Sequence, residues 1–162
     1  MKKLYILCGY PFAGKSTLAQ ALEKKFGFKR IAMEKFYKDN NKEIDLEKTY
    51  KIYQLQIEKS LKENQSVIVD TVAYNKQGRI DLQQLTKKYN AKTTVVYLDT
   101  PLQVVKKRWL QNKQTSKRHN VSEEEFDSIV NNFEIPTQEE NVIVITPEMQ
   151  NEDVYKLFQI ET

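Results

Sequence analysis

Two rhythms of apolar residues alternate along the chain. Short continuous runs, "KLYILC" (3–8), "SVIVD" (66–70), "TTVVYLD" (93–99) and "NVIVIT" (141–146), read as strands covered on both faces. "KRIAM" (29–33) predicts a fifth, shorter strand. Between these runs the spacing changes to three and four residues. Leu18, Ala19, Leu22 and Phe26 predict a helix from Lys15 to Phe26, with Gly27 placed as its C-cap. Leu46, Tyr50, Tyr53, Ile57 and Leu61 form one face of a long helix starting at Asp45. Ile80, Leu82, Leu85 and Tyr89 predict another helix, and Leu102, Val105 and Trp109 a fourth. Thr100-Pro101 opens that fourth helix, with threonine as cap and proline at the first helical position. Ser122 and Glu125 form a capping box ahead of Phe126, Ile129, Val130 and Phe133. Val154, Leu157 and Phe158 mark the last helix. Strands alternating with helices predict an α/β domain with a mainly parallel sheet. No repeat, linker or low-complexity tract divides it, so residues 1–162 read as one domain.

Composition narrows the class without naming it. At 40% hydrophobic and 30% charged residues, the chain is that of a globular protein rather than a disordered one. Lys and Arg outnumber Asp and Glu by 26 to 22, a net charge of +4. This suits an anionic ligand and is too mild to demand nucleic acid. The one cysteine, Cys8, has no internal disulfide partner, which fits a reducing compartment. The apolar core of "MKKLYILCGY" is too short for a secretory signal, and no run is long enough to span a membrane. A cytoplasmic location without membrane attachment is the expectation.

The chemistry begins directly after the first strand. Gly9-Tyr-Pro-Phe-Ala-Gly14-Lys15-Ser16 fits the Walker A pattern at each fixed position, between a predicted strand and a predicted helix. Glycines allow a tight turn whose N–H groups point inward at phosphate oxygens, and the helix N-terminus faces the same anion. Gly9, Pro11, Ala13, Gly14, Lys15, Ser16 and Thr17 are the expected nucleotide-binding residues. Lys15 reaches the β- and γ-phosphates, and Ser16 supplies a hydroxyl to Mg²⁺. A guanine-reading NKxD is missing, since "NKQG" (75–78) ends in glycine, so ATP is the expected nucleotide. Asp70 ends "VIVD", where a Walker B carboxylate belongs: beyond the carboxyl end of a parallel strand, in reach of the same cation.

Read as a whole, the chain resembles the small P-loop kinases. The likeness is strongest to the branch containing polynucleotide kinase and AAA_33-type bacterial proteins, within the zeta-toxin/adenylate-kinase-like group. It rests on Walker A, "GFKRIAMEK" (27–35), "VIVDT" (67–71) with Arg79 downstream, and "VVYLDTP" (95–101) leading to Arg108. "FEIP" (133–136), followed by Glu139 and Glu140, completes it.

The resemblance implies a three-layer α/β/α P-loop fold. Its five parallel strands would run in the order 2-3-1-4-5, with a helical lid at about 109–122. It implies transfer of the ATP γ-phosphoryl group to a hydroxyl of a nucleic-acid 5′ end, a nucleoside or a small metabolite. The family's general base falls on Glu34, with Asp39 in reserve. Arg108 matches the first lid arginine, which braces the nucleotide and offsets charge on the transferred group. The second lid arginine would fall on Asn112, so Arg118 or a lid lysine takes that role. Two departures weaken a nucleic-acid-end assignment: "EKFYKD" has no arginine after the base, and Asp70-Thr71-Val72 lacks the family's asparagine. The acceptor would be read by the helix around 45–63 and the loops at 35–44 and 72–79, which include Arg79. His119, the one histidine, reads as a surface residue, and Trp109 as core. Lys15, Glu34, Asp70, Arg108 and Arg118 thus form the expected catalytic set. The alternative is an ATP-dependent switch or binding module in which nucleotide orders the lid for a partner.

Overall fold

The structure, a computed structural model, describes residues 1–33, 46–71, 73 and 75–160. Five strands form one parallel sheet in the order β2-β3-β1-β4-β5. They are β1 (Lys3–Cys8), β2 (Lys29–Ala32), β3 (Val67–Asp70), β4 (Lys92–Leu98) and β5 (Val142–Ile145). Six helices are described: α1 (Lys15–Phe26), α2 (Leu46–Lys62), α3 (Lys76–Lys87), α4 (Leu102–Thr115), α5 (Glu123–Asn131) and α6 (Asn151–Ile160).

Alternation along β1 builds the two interiors. Tyr5 and Leu7 face a core made with Ala19 and Leu22 of α1, Val105 and Trp109 of α4, Phe126 of α5 and Phe158 of α6. Leu4 and Ile6 point the other way, onto Tyr53, Ile57 and Leu61 of α2 and Leu82 of α3. Helices therefore cover both faces, which is why the central strands are apolar without a break. This is the three-layer α/β/α arrangement. The sheet grows from β1 towards β3 on one side and towards β4 on the other. That divergence opens a crevice at the carboxyl ends of the strands, where ligands of such sheets bind.

Three local details depart from the sequence reading. Pro101 is the N-cap of α4 rather than its first residue, and Leu102 begins the helix. The Thr100 hydroxyl, expected to cap that helix, instead donates to the Ala13 carbonyl at 3.0 Å. Phe133 lies beyond the end of α5, with its ring 4.7 Å from that of Tyr10. For Thr100 and Phe133 a contact distant in sequence outweighs the local preference.

Candidate nucleotide site

β1 delivers the chain into the crevice, and residues 9–14 turn it sharply into α1. Gly14, at the N-cap, has φ +102°, a conformation that strains any residue with a side chain. Gly9 is favoured for a different reason. A Cβ there would lie 3.1 Å from the Leu98 carbonyl of β4, so a side chain would press the two strand ends apart by a few tenths of an ångström. The Ala13 N–H closes the turn onto the Tyr10 carbonyl at 3.1 Å. Pro11 and Ala13 are buried beneath the loop, while Thr17 is exposed on the first turn of α1.

The Lys15 side chain folds back over this loop. Its Nζ donates to the carbonyls of Gly9 at 2.9 Å and Tyr10 at 2.6 Å. Burial pulls its pKa from 10.5 down to about 8, although the nearby Asp70 charge works in the opposite direction. An incoming phosphate oxygen thus meets an ammonium group already held over the loop.

Asp70 lies at the end of β3, level with Ala32 of β2. Its Oδ1 is 3.4 Å from the Ser16 hydroxyl, so the two expected cation ligands are neighbours across 54 residues of chain. Its Oδ2 accepts from Arg30 Nε at 3.1 Å and Nη2 at 2.6 Å. Sequence reasoning missed Arg30. The available signal was a charged residue in a short strand pattern, two positions before the residue beside Asp70 and hence on the same face.

The segment after β4 brings two arginines onto the loop from above. Arg108 Nη1, one face of α4, donates to the Phe12 carbonyl at 2.9 Å. Arg118 Nη2, in the loop after α4, donates to the Thr17 hydroxyl at 3.0 Å. Asn112 sets the second contact. Its Oδ1 accepts from the Arg118 N–H at 2.9 Å, and its Nδ2 donates to the Arg118 carbonyl at 3.1 Å. Trp109 stacks on Phe126 with ring centres 4.7 Å apart, and its indole N–H donates to the Val121 carbonyl. That contact ties α5 to α4 and leaves the intervening loop to hang over the first turn of α1.

Two openings flank this contact. The larger, about 740 Å³, runs between the phosphate loop, α4 and the start of α6, and includes Gly14, Thr17, Arg108, Arg118 and Pro147. The smaller, about 500 Å³, is lined by Ser16, Gln20, Arg30, Lys117, Arg118 and His119. Of the expected residues, Gly9, Pro11, Ala13, Gly14, Lys15, Ser16, Thr17, Asp70, Arg108 and Arg118 all belong to this one neighbourhood. Glu34 and Asp39 lie outside the described residues.

Arg79 does not face the crevice. It is 2% exposed and donates to Glu140 through Nε at 2.7 Å and Nη2 at 3.3 Å, and to the Ala73 carbonyl through Nη1 at 2.9 Å. Its expected place among residues reading the acceptor is thereby corrected. A guanidinium so buried and so fully engaged fastens the loop after β3 to the segment before β5. Cys8 is fully buried beside it, and burial raises its thiol to about 11, so it is no nucleophile.

A glycine-bounded loop at the head of a parallel sheet, with a lysine over it and a hydroxyl–carboxylate pair beside it, is the arrangement of the P-loop kinase-like fold. Comparison with known proteins gives the family. The model of the family described as chromatin associated protein KTI12 matches residues 3–142, and the chain belongs to that family. Its sequence is 28% identical over 148 residues to the protein KTI12 homolog of Xenopus laevis, covering 82% of this chain and 50% of that protein. It is also 28% identical over 130 residues to the L-seryl-tRNA(Sec) kinase of Methanococcus maripaludis, covering 68% of this chain and 46% of the kinase. The chain thus spans about half the length of the curated relatives it matches. Among solved structures it superposes on Chaetomium thermophilum Kti12 in complex with ADP-AlF3 with a TM-score of 0.79 at 14% identity. That alignment covers 98% of this chain and 96% of the other.

Proposed function

We propose that the chain is an ATP-dependent phosphotransferase, a kinase that moves the γ-phosphoryl group of ATP onto a hydroxyl. The observation that carries this reading is the convergence of two arginines, Arg108 and Arg118, on the loop already holding Lys15. Binding a nucleotide needs a loop and a lysine. Cations brought in from a separate segment add compensation for charge that develops on a phosphoryl group in flight. The kinship with an L-seryl-tRNA(Sec) kinase supports the same class of reaction.

In this reading the loop N–H groups and Lys15 bind and orient the triphosphate, with adenosine in the larger opening. Residues 109–122 act as the lid, excluding water as Arg108 and Arg118 close on the phosphates. Ser16 and Asp70 are hard oxygen donors 3.4 Å apart, a set that fits Mg²⁺. These are two ligands only, and phosphate oxygens with water would complete the cation's shell. When bound, Mg²⁺ neutralises phosphate charge and orients the transferred group. Glu34 is the proposed general base, accepting the acceptor's hydroxyl proton as the oxygen attacks. The motif likeness to polynucleotide kinases keeps a nucleic-acid hydroxyl among the acceptors, beside nucleosides and small metabolites.

A second reading has one observation behind it. The Arg118–Thr17 hydrogen bond links the loop after α4 to the first turn of α1, so phosphates bound at that turn would alter the position of the lid. An ATP-dependent switch uses that change to signal a partner. The deciding assay is ADP release from ATP and Mg²⁺ in the presence of 5′-hydroxyl oligonucleotides, tRNA, nucleosides or small alcohols. A kinase is stimulated by one acceptor class, loses turnover in Lys15→Ala, and keeps ATP affinity but loses transfer in Glu34→Gln. Tight ATP binding with no acceptor-dependent turnover rejects the kinase in favour of the switch.

A further inference from the structure

A carboxylate that takes a divalent cation brings it an unpaired charge, whatever hydrogen bonds orient it. Asp70 does not. Its side chain is 6% exposed, that of Arg30 12%, and two guanidinium N–H groups converge on one oxygen. The other oxygen is turned to the Ser16 hydroxyl. The pair is therefore neutral as a unit before any ligand arrives.

Among the described residues, a free cation approaching this place meets no surplus negative charge. The adjoining opening offers the cations Arg30, Lys117 and Arg118, with hydroxyl, amide and imidazole groups between them and no carboxylate among the described residues of its lining. The Arg30 charge, with its side chain only 12% exposed, opposes a second positive charge a few ångströms away more strongly than it would in open water. A triphosphate reverses the local sign, because its oxygens approach from the loop and can draw on these same cations.

We propose that Arg30 guards Asp70, making the cation seat conditional on nucleotide. It shuts free divalent cations out of the nucleotide-free protein while holding Oδ1 towards Ser16 for the moment a nucleotide-borne cation arrives. Arg30 acts through Asp70 and is a positioning residue, not a catalytic one. The proposal rests on the assignment of Ser16 and Asp70 to that cation.

The test uses Mn²⁺ as probe and follows its free electron-paramagnetic-resonance signal with the full chain. Without nucleotide, wild type should leave Mn²⁺ free, and Arg30→Gln should bind it at least about tenfold more tightly. Arg30→Gln/Asp70→Asn should lose that gain. Arg30→Lys, which retains the charge, should exclude Mn²⁺ as wild type does. A merely structural arginine could not create metal affinity on removal. Should Arg30→Gln fail to fold by circular dichroism, Arg30→Met, closer in volume, replaces it. Mn²⁺ binding with ADP is the separate control on the seat itself. If wild type with ADP holds no more Mn²⁺ than ADP alone, the seat is wrong and the guard falls with it. If the seat is present and Arg30→Gln gains nothing, the guard alone is wrong.

Discussion

Asn112 holds Arg118 by both of its main-chain polar groups, accepting from its N–H at 2.9 Å and donating to its carbonyl at 3.1 Å. The same amide nitrogen reaches Asn120 Oδ1 at 3.0 Å, so three groups in the loop after α4 depend on one buried side chain. The guanidinium thus arrives at Thr17 from a tethered loop, where a residue on the helix itself would need no tether.

Removing the tether should act through the arginine. Each neutral hydrogen bond of this kind contributes roughly 1 kcal/mol. Asn112→Ala should therefore weaken ATP binding about tenfold while Arg118 remains in the chain. Arg118→Ala should weaken it by a similar factor. The double variant should be little worse than either, because both remove one interaction. Calorimetric titration of the four proteins gives the cycle. Fully additive losses would mean that Asn112 and Arg118 act independently.

Lys15 makes nucleotide binding pH-dependent. In the nucleotide-free protein its pKa is about 8, because burial disfavours the charged form. A triphosphate beside the ammonium raises that pKa. Below pH 7 the lysine is charged in both states, and binding leaves it unchanged. Above pH 8 the free protein has lost the proton and binding must recover it, so affinity falls as pH rises, approaching about tenfold per unit. Titrations at pH 9 in two buffers of different ionisation enthalpy should report uptake approaching one proton. The same pair of titrations at pH 7 should show far less. Equal enthalpies in both buffers at pH 9 would contradict this account of Lys15.

The elements legible in the sequence were those whose causes are local. The phosphate loop is specified within eight residues, and the lysine, hydroxyl and glycines all lie inside it. Continuous apolar runs and helical spacing marked the five strands and their covering helices, because both faces of the sheet are buried. What escaped depends on how segments distant in sequence meet. The order implied by the resemblance already set β2 beside β3, but Arg30 meets Asp70 through the register that pairs Ala32 with Asp70, and nothing in "KRIAM" announces that register. Thr100 looked like a helix cap until the fold placed the Ala13 carbonyl beside it, 87 residues away. The vacancy at Asn112 was visible as a missing arginine. Its role as the clamp on Arg118 required the turn at Ser116, whose φ is +50°.

Arg79 and Glu140 are the clearest case of an effect the sequence conceals, and they carry the last prediction. The pair joins positions 61 residues apart, with side-chain exposures of 1% and 9%. Burial works to raise the Glu140 pKa, but hydrogen bonds from Arg79 and the Thr137 N–H, with the Arg79 and Lys76 charges, outweigh it and leave it below the usual 4.5. Arg79→Met leaves a largely buried carboxylate uncompensated and should cost about 3–5 kcal/mol in urea unfolding at pH 7. Arg79→Met/Glu140→Gln removes both charges and should recover much of that loss. The sign with pH follows from the lowered value. The carboxylate's contribution is complete above pH 4.5 and is lost as pH falls through its folded pKa, since the unfolded chain then holds more protons. Wild type should therefore lose stability more steeply than Arg79→Met between pH 6 and pH 3. If the two proteins lost stability in parallel over that range, Glu140 would not be held by Arg79 in solution, and the fastening of the loop after β3 would need another cause.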